Sequence, residues 1–183
     1  MDVVEGLTIE GIPKTYDLVE TATWTKTNGE ACSVSYILMD LVQGVELIDF
    51  LNQSKQQDDK VVRYIFKELG RILHQLHSAN IAHRDLKPEN VMITRELKLK
   101  VIDLGYGQDL SGSDQSGFAK TRLGTPMYMA PEVEIGKPYQ GADADVFAFG
   151  TMLFVAKVIA YPWERAVKSD RGYAAISGSK SGN

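Results

Sequence analysis

The chain has 183 residues, 44% of them hydrophobic and 24% charged. That is the size of one domain or slightly more, and the composition of an ordinary soluble globular chain. It excludes a disordered acidic tail, a collagen-like repeat and a mucin-like stalk. With a net charge of −4 and a pI near 5.4, the chain lacks the basic excess of proteins that grip nucleic acid through phosphates, so no nucleic-acid partner is expected. The single cysteine, Cys32, allows no internal disulfide and favours an intracellular setting, the cytoplasm first and the nucleus after it. Met1–Gly6 has neither the basic nor the apolar region of a signal peptide. The longest apolar stretch, Val146 to Trp163, is uncharged for only eleven residues before Lys157, short of the roughly 18 that span a bilayer. It reads as a buried core helix, and no membrane partner is expected.

Tyr16–Lys26 and Glu30–Asp40 are rich in Thr, Val, Tyr and Trp. They flank Asn28-Gly29, a pair suited to the positive φ angles of a tight turn, and so predict an antiparallel hairpin. Val42-Gln43-Gly44 breaks the second strand, and Glu46–Gln53 reads as a short helix. Asp58-Asp59 caps a long helix running to about Ala79, with Val61, Val62, Ile65, Phe66, Leu69, Ile72, Leu73 and Leu76 as its apolar stripe. His74 and His77, in its last turn, read as polar-face or dipole-compensating residues rather than metal ligands. Val91–Ile93 and Leu99–Ile102 are short strands around the turn Arg95–Lys98. Folded back symmetrically, they pair positions whose numbers sum to about 193, which brings Asn90 and Asp103 together at the open end. Residues 104–130 are Gly-, Ser- and Asp-rich and loop-like, with Ser113 and Ser116 among them. Asp145–Ala160 is a hydrophobic helix, residues 165–176 suit another, and the tail from Ser177 to Asn183 reads as frayed.

His83-Arg84-Asp85-Leu86-Lys87-Pro88-Glu89-Asn90 concentrates polar groups directly after a helix, and their order carries the information. Asp85 is suited to orient a hydroxyl or accept its proton, and Lys87 to hold developing negative charge. Asn90 and Asp103 offer the oxygen ligands that suit Mg²⁺, an ion that keeps one or two protein carboxylates and takes its other ligands from phosphates and water. A hydroxyl-orienting acid, a lysine and a paired oxygen site together point to phosphoryl transfer.

These residues carry a resemblance to the eukaryotic protein kinase family. His83–Asn90 resembles its catalytic loop, and Asp103-Leu104-Gly105 its metal-binding triplet with Leu in place of Phe. Gly124–Glu132 is similar to the end of the activation segment, and Asp145–Gly150 to the start of the buried helix that anchors the large lobe. The resemblance implies an α+β, protein-kinase-like two-lobed fold. Within it, residues 1–42 are a partial small lobe, 43–176 a partial large lobe and 177–183 a disordered tail. It implies ATP and Mg²⁺ as cofactors and a protein Ser/Thr hydroxyl as acceptor, since Lys87 points to Ser/Thr rather than Tyr substrates. Asp85 matches the catalytic aspartate, Lys87 the phosphate-stabilising lysine and Thr125 the threonine that steadies the aspartate. Asn90 and Asp103 match the metal ligands.

The nucleotide would lie against Tyr36–Val42, with Met39 as gatekeeper, the backbones of Asp40 and Val42 at the adenine edge and Met92 as its floor. Glu46 and the Glu89 carbonyl would face the ribose. Arg84 beside Asp85 implies control by activation-loop phosphorylation, with Thr121 as the acceptor position.

The family's Gly-rich phosphate loop and strand lysine have no counterpart here. Gly6, Gly11 and Gly29 do not form the G-x-G-x-x-G pattern, and neither Lys14 nor Lys26 is placed as a substitute. Ile12–Tyr16 resembles the start of the fourth small-lobe strand, so the paired glutamate is expected at or before Met1. At the other end, Tyr161–Ala166 and Asp170…Tyr173 resemble the segment entering the helix after the anchor helix. The last helices, with the arginine that pairs with the Glu132 equivalent, are missing, which should expose apolar large-lobe surface where another protein could dock. The leading expectation is a protein serine/threonine kinase catalytic region, truncated at both ends. The alternative is a catalytically impaired kinase-like module acting as a binding or regulatory partner.

Overall fold

Thr, Val and Tyr favour a pleated backbone, and the first strands follow from them: β1 (Thr15–Thr25) pairs antiparallel with β2 (Ala31–Met39) in a computed structural model that describes residues 8–53, 57–110 and 118–178. The turn differs from the expectation in one respect. Only Gly29 takes a positive φ (86°), with its N–H donating to Lys26 O at 2.9 Å, while Lys26 N–H closes onto Glu30 O at 2.9 Å. Asn28 instead turns its side chain onto Glu30 N–H at 3.1 Å. This is a longer turn with one left-handed glycine, and Asn28 needs no positive φ.

β3 (Gly44–Glu46) leads directly into α1 (Leu47–Asn52), so Glu46 ends a strand instead of starting the helix. α2 (Asp59–Ser78) has the predicted cap, with the Asp58 carboxylate accepting from Lys60 N–H at 2.7 Å. Seven of its eight predicted apolar positions are buried, Val61 being the exception. Each such side chain contributes about 1.5–3 kcal/mol on burial, which is why this helix anchors the fold. β4 (Ile81–Ala82) follows.

β5 (Val91–Thr94) and β6 (Leu99–Val101) form a sheet with β3 in the order β3-β5-β6. Val91 opposes Val101, so the pairs sum to 192 rather than 193, and Ile102 N–H donates to Asn90 O at 2.9 Å. Asn90 thus faces Ile102, and Asp103 lies one residue beyond. β7 (Gln108–Asp109) pairs with β4, and β8 (Phe118–Ala119) pairs with β9 (Tyr139–Gln140) on the far side of the single-turn α3 (Pro131–Glu134). The described parts of the expected loop, 104–110 and 118–130, are therefore irregular backbone pinned by these short pairings.

α4 (Gly141–Val158) starts one turn before the predicted Asp145, because the alternating Ala and Asp of Gly141–Asp145 conceal a first turn that is already helical. It lies antiparallel to α2. His77, in the last turn of α2, meets Asp145 near the start of α4, and Lys157, near the end of α4, pairs with Asp59 in the first turn of α2. Between them Phe66 and Phe149 pack edge to face, 5.3 Å between centroids. The main core joins α1, the buried stripe of α2, β5, β6 and the inner face of α4, with Leu86 and Tyr128. A second, smaller cluster gathers Ala119, Met129, Ala130, Val133, Tyr139 and Ala144 under β8 and α3. α5 (Arg171–Ile176) is capped by Asp170, whose carboxylate accepts from Tyr173 N–H at 3.1 Å. The expectations for Met1–Gly6, for Ser113 and Ser116, and for the tail beyond Gly178 lie outside the described residues. Among the described residues no helix is long and apolar enough to cross a membrane.

Candidate active site

The loop after β4 must hold a strained backbone, since Arg84 sits at φ 65°, where a side chain costs about 1–2 kcal/mol. Asp145 supplies what holds it. Its side chain is 1% exposed, and it accepts from His83 N–H at 2.8 Å and Arg84 N–H at 2.7 Å, with His77 Nε2 at 2.9 Å. A buried carboxylate is tolerable only with such partners. His83, fully buried, accepts from Asp85 N–H at Nδ1 (3.3 Å), which leaves Nε2 to donate to Ile102 O at 3.0 Å. One imidazole thus fastens the loop to the residue preceding Asp103. Neither His83 nor Asp145 was assigned a role from sequence, although a histidine inside a polar loop and an aspartate inside an apolar helix were the visible signals. His77, expected on the polar face or compensating the helix dipole, instead turns its ring onto the buried Asp145 carboxylate.

Asp85 lies at the centre of the site. Its Oδ1 accepts from the Thr125 hydroxyl at 2.8 Å, and its Oδ2 from Lys87 Nζ at 2.8 Å. Lys87 Nζ also reaches Thr125 Oγ1 at 3.1 Å, closing a triangle of three side chains from two separate loops. Asn90 Nδ2 donates to Asp85 O at 2.9 Å. The close approach of the two loops requires Gly124, which adopts φ 113° and on which a Cβ would lie 2.9 Å from Arg84 O. Burial alone would lower the Lys87 pKa, but the Asp85 hydrogen bond and charge, with Glu89 and Asp103, outweigh it and raise it. One lysine therefore sits in the field of three carboxylates, so the pocket is suited to cationic company and to a polyanion brought with it.

The donor set fits Mg²⁺. With its amide nitrogen committed to Asp85 O, Asn90 retains an amide oxygen as a ligand, and Asp103 supplies a carboxylate one residue beyond the Asn90–Ile102 pairing. Asp103 is held at φ 61° by accepting from Gly105 N–H at 3.2 Å.

Met39 and Asp103 line a common cavity of about 120 Å³ with Thr15, Ile37, Val101 and Leu104. Asp40 and Val42 line a separate cavity with Thr94, Arg95 and Lys100, on the other side of Pro13. The Asp40 backbone N–H is already donated to Lys14 O at 2.9 Å, which leaves its carbonyl for a ligand. Glu46 and Met92 are direct partners across β3 and β5. Glu89 has one buried carboxylate oxygen without a hydrogen-bond partner. Arg84 donates Nε to Tyr106 O at 2.6 Å, and Thr121 is exposed, its carbonyl accepting from the buried Tyr139 hydroxyl at 3.0 Å.

Glu132 has no ion-pair partner among the described residues. The anchored carboxylate is Glu134, two residues on, which pairs with Arg122 at 2.9 Å and with Arg165. Sequence reading missed it because its two arginines come from opposite sides in the chain.

The chain matches the family described as protein kinase domain over residues 2–180, and it belongs to that family. It is 36% identical over 129 residues to the putative CBL-interacting protein kinase 27 of Oryza sativa subsp. japonica, covering 70% of this chain and 32% of that one. It is 41% identical over 121 residues to the CBL-interacting serine/threonine-protein kinase 9 of Arabidopsis thaliana, covering 66% and 27%. With the serine/threonine-protein kinase chk1 of Schizosaccharomyces pombe it shares 30% over 138 residues, covering 75% and 27%. The chain spans about a quarter to a third of the length of these relatives. The fold is accordingly that of a protein kinase domain, a small β portion followed by a mainly helical part.

Proposed function

We propose that this chain carries the phosphoryl-transfer centre of a serine/threonine protein kinase, moving the γ-phosphate of ATP to a protein hydroxyl. The observation that carries the reading is the Asp85–Lys87–Thr125 triangle beside Asn90 and Asp103. Thr125, Lys87 and a longer contact from Asn90 Nδ2 (3.4 Å) occupy three of the four acceptor sites of the Asp85 carboxylate, so one is left to orient a substrate hydroxyl and take up its proton. The hydroxyl oxygen bonds to the γ-phosphorus as the bond to the bridging β–γ oxygen breaks and ADP departs. Lys87, charged across the neutral range, stabilises negative charge on the transferring group. Mg²⁺ held by Asn90 and Asp103 would supply neutralisation of the phosphate charge. Met39, Asp40, Val42, Glu46, Glu89 and Met92 form the nucleotide-facing set in this reading, and a phosphate on Thr121 would draw Arg84 and order the segment.

The test is transfer of label from γ-labelled ATP to a Ser/Thr peptide library. Wild type should transfer, and Asp85→Asn should lose about 10²–10⁴-fold. Equal rates in the two proteins would remove Asp85 from the chemistry. Mass mapping of the same preparation should find phosphate on Thr121 and none in Thr121→Ala.

A second reading, a kinase-like binding module without catalysis, draws on the exposed apolar side chains of α4: Val146 and Leu153, two turns apart on one side, and Val158 at its C-terminal end. Absence of transfer together with nucleotide-independent capture of a partner would favour it.

A further inference from the structure

Three segments around Thr125 have almost no regular structure of their own. β8 is two residues long, α3 is a single turn, and residues 159–170 contain no helix or strand. Something else must hold them together. Glu134, at the end of α3, has a side chain only 1% exposed, whereas its partners Arg122 and Arg165 are 44% and 52% exposed. The carboxylate is the buried member of the triad, and the two guanidinium groups hold one oxygen each, Arg122 on Oε2 and Arg165 on Oε1. Arg122 lies three residues before Thr125, and Arg165 lies in the irregular segment after α4.

A second tie joins the same segments independently. Trp163 Nε1–H donates to Met127 O at 3.1 Å, and its ring packs between Phe147 and Tyr173 at 5.5 and 5.3 Å. Met127 lies in the turn opened by Thr125, in which Tyr128 N–H donates to Thr125 O at 2.9 Å.

We infer that the Arg122–Glu134–Arg165 clamp, seconded by Trp163, is the positioning device that presents Thr125 to Asp85 and Lys87. Glu134 touches neither substrate nor the reacting groups. It fixes the stretch on both sides of Thr125 to α3 and to the segment after α4. Burying one carboxylate between two arginines makes the joint directional, since a carboxylate accepts paired N–H donors in its plane. Either arginine alone leaves the carboxylate partnered, while loss of the carboxylate releases both segments at once. The fastening half of the inference stands on contacts alone; its effect on turnover rests on the phosphoryl-transfer reading.

The experiment compares wild type, Glu134→Gln and Arg165→Met by limited trypsin digestion and amide hydrogen exchange. Glu134→Gln should speed cleavage after Lys120 and Arg122, and exchange across residues 121–130, by about tenfold, with exchange in α2 within about twofold of wild type. Arg165→Met removes a half-exposed side chain and leaves Glu134 paired to Arg122, so it should fold and give the same local pattern at smaller amplitude. Unchanged cleavage, or exchange that rises equally in α2 and in 121–130, would overturn the positioning role and leave Glu134 as general core support. Failure of Arg165→Met to loosen 121–130 would overturn it as well. Where wild type transfers phosphate, Glu134→Gln should lower kcat about tenfold or more with KM for ATP unchanged. A wild type without transfer would contradict the phosphoryl-transfer reading while the digestion and exchange results still decide the clamp.

Discussion

Asp145 does more for the candidate site than any residue inside it. Its carboxylate takes two successive backbone N–H groups and an imidazole, and so holds the left-handed Arg84 that aims Asp85 toward Thr125. Asp145→Asn keeps the shape but turns an NH₂ group toward at least one of those donors. It should cost about 3 kcal/mol in urea unfolding. A loss below about 1 kcal/mol would mean that the loop is held elsewhere. Asp40 gives a pH-dependent counterpart on the hairpin. The Tyr16 hydroxyl (2.6 Å) and Lys14 N–H (3.0 Å) donate to its carboxylate and hold its pKa below the ordinary 3.8. The tie therefore stabilises the folded form fully above the unfolded value and is lost as the pH falls through the lower folded one. Titration followed by carbon NMR at the Asp40 carboxyl should show a transition below pH 3.8 in wild type. The Asp40 transition should move up toward its ordinary value in Tyr16→Phe, and an unmoved midpoint would refute the tie.

Elements whose register is local were legible in the sequence. α2 announced itself through the Asp58 cap and a stripe at helical spacing, and those positions, Val61 apart, lie in the core. The β5–β6 hairpin was legible to within one residue, because a symmetric turn fixes pairing with a single parameter. The hairpin turn was misjudged because Asn-Gly suits more than one turn type, and the choice depends on whether Asn28 can spend its side chain on Glu30. The start of α4 was misplaced because short-range polarity in Gly141–Asp145 masks a helix whose buried face is set by contact with Ala82, Gln108 and α2. The residues proposed for catalysis, Asp85, Lys87 and Asn90, were legible as a motif. What supports them was not: His83, Asp145 and Glu134 act through partners far away in the chain, and no local pattern encodes such a pairing.

Across the whole molecule, a hairpin with mostly exposed side chains stands beside a well-packed helical part. Met39 of β2 and Asp103 beyond β6 share one cavity where the two meet, while Asp40 and Val42 line a separate one. Mg²⁺-ATP bound there would bridge both parts and stabilise the folded state in proportion to its affinity and concentration. In the proposed function, Asn90 and Asp103 form the oxygen site of a phosphoryl-transfer centre. Thermal melting with and without Mg²⁺-ATP tests it most directly. Wild type should melt several degrees higher with saturating Mg²⁺-ATP, of the order of 3–8 °C, and Asp103→Ala should show little or none of that shift. Equal shifts in both proteins, or none in wild type at millimolar nucleotide, would contradict it.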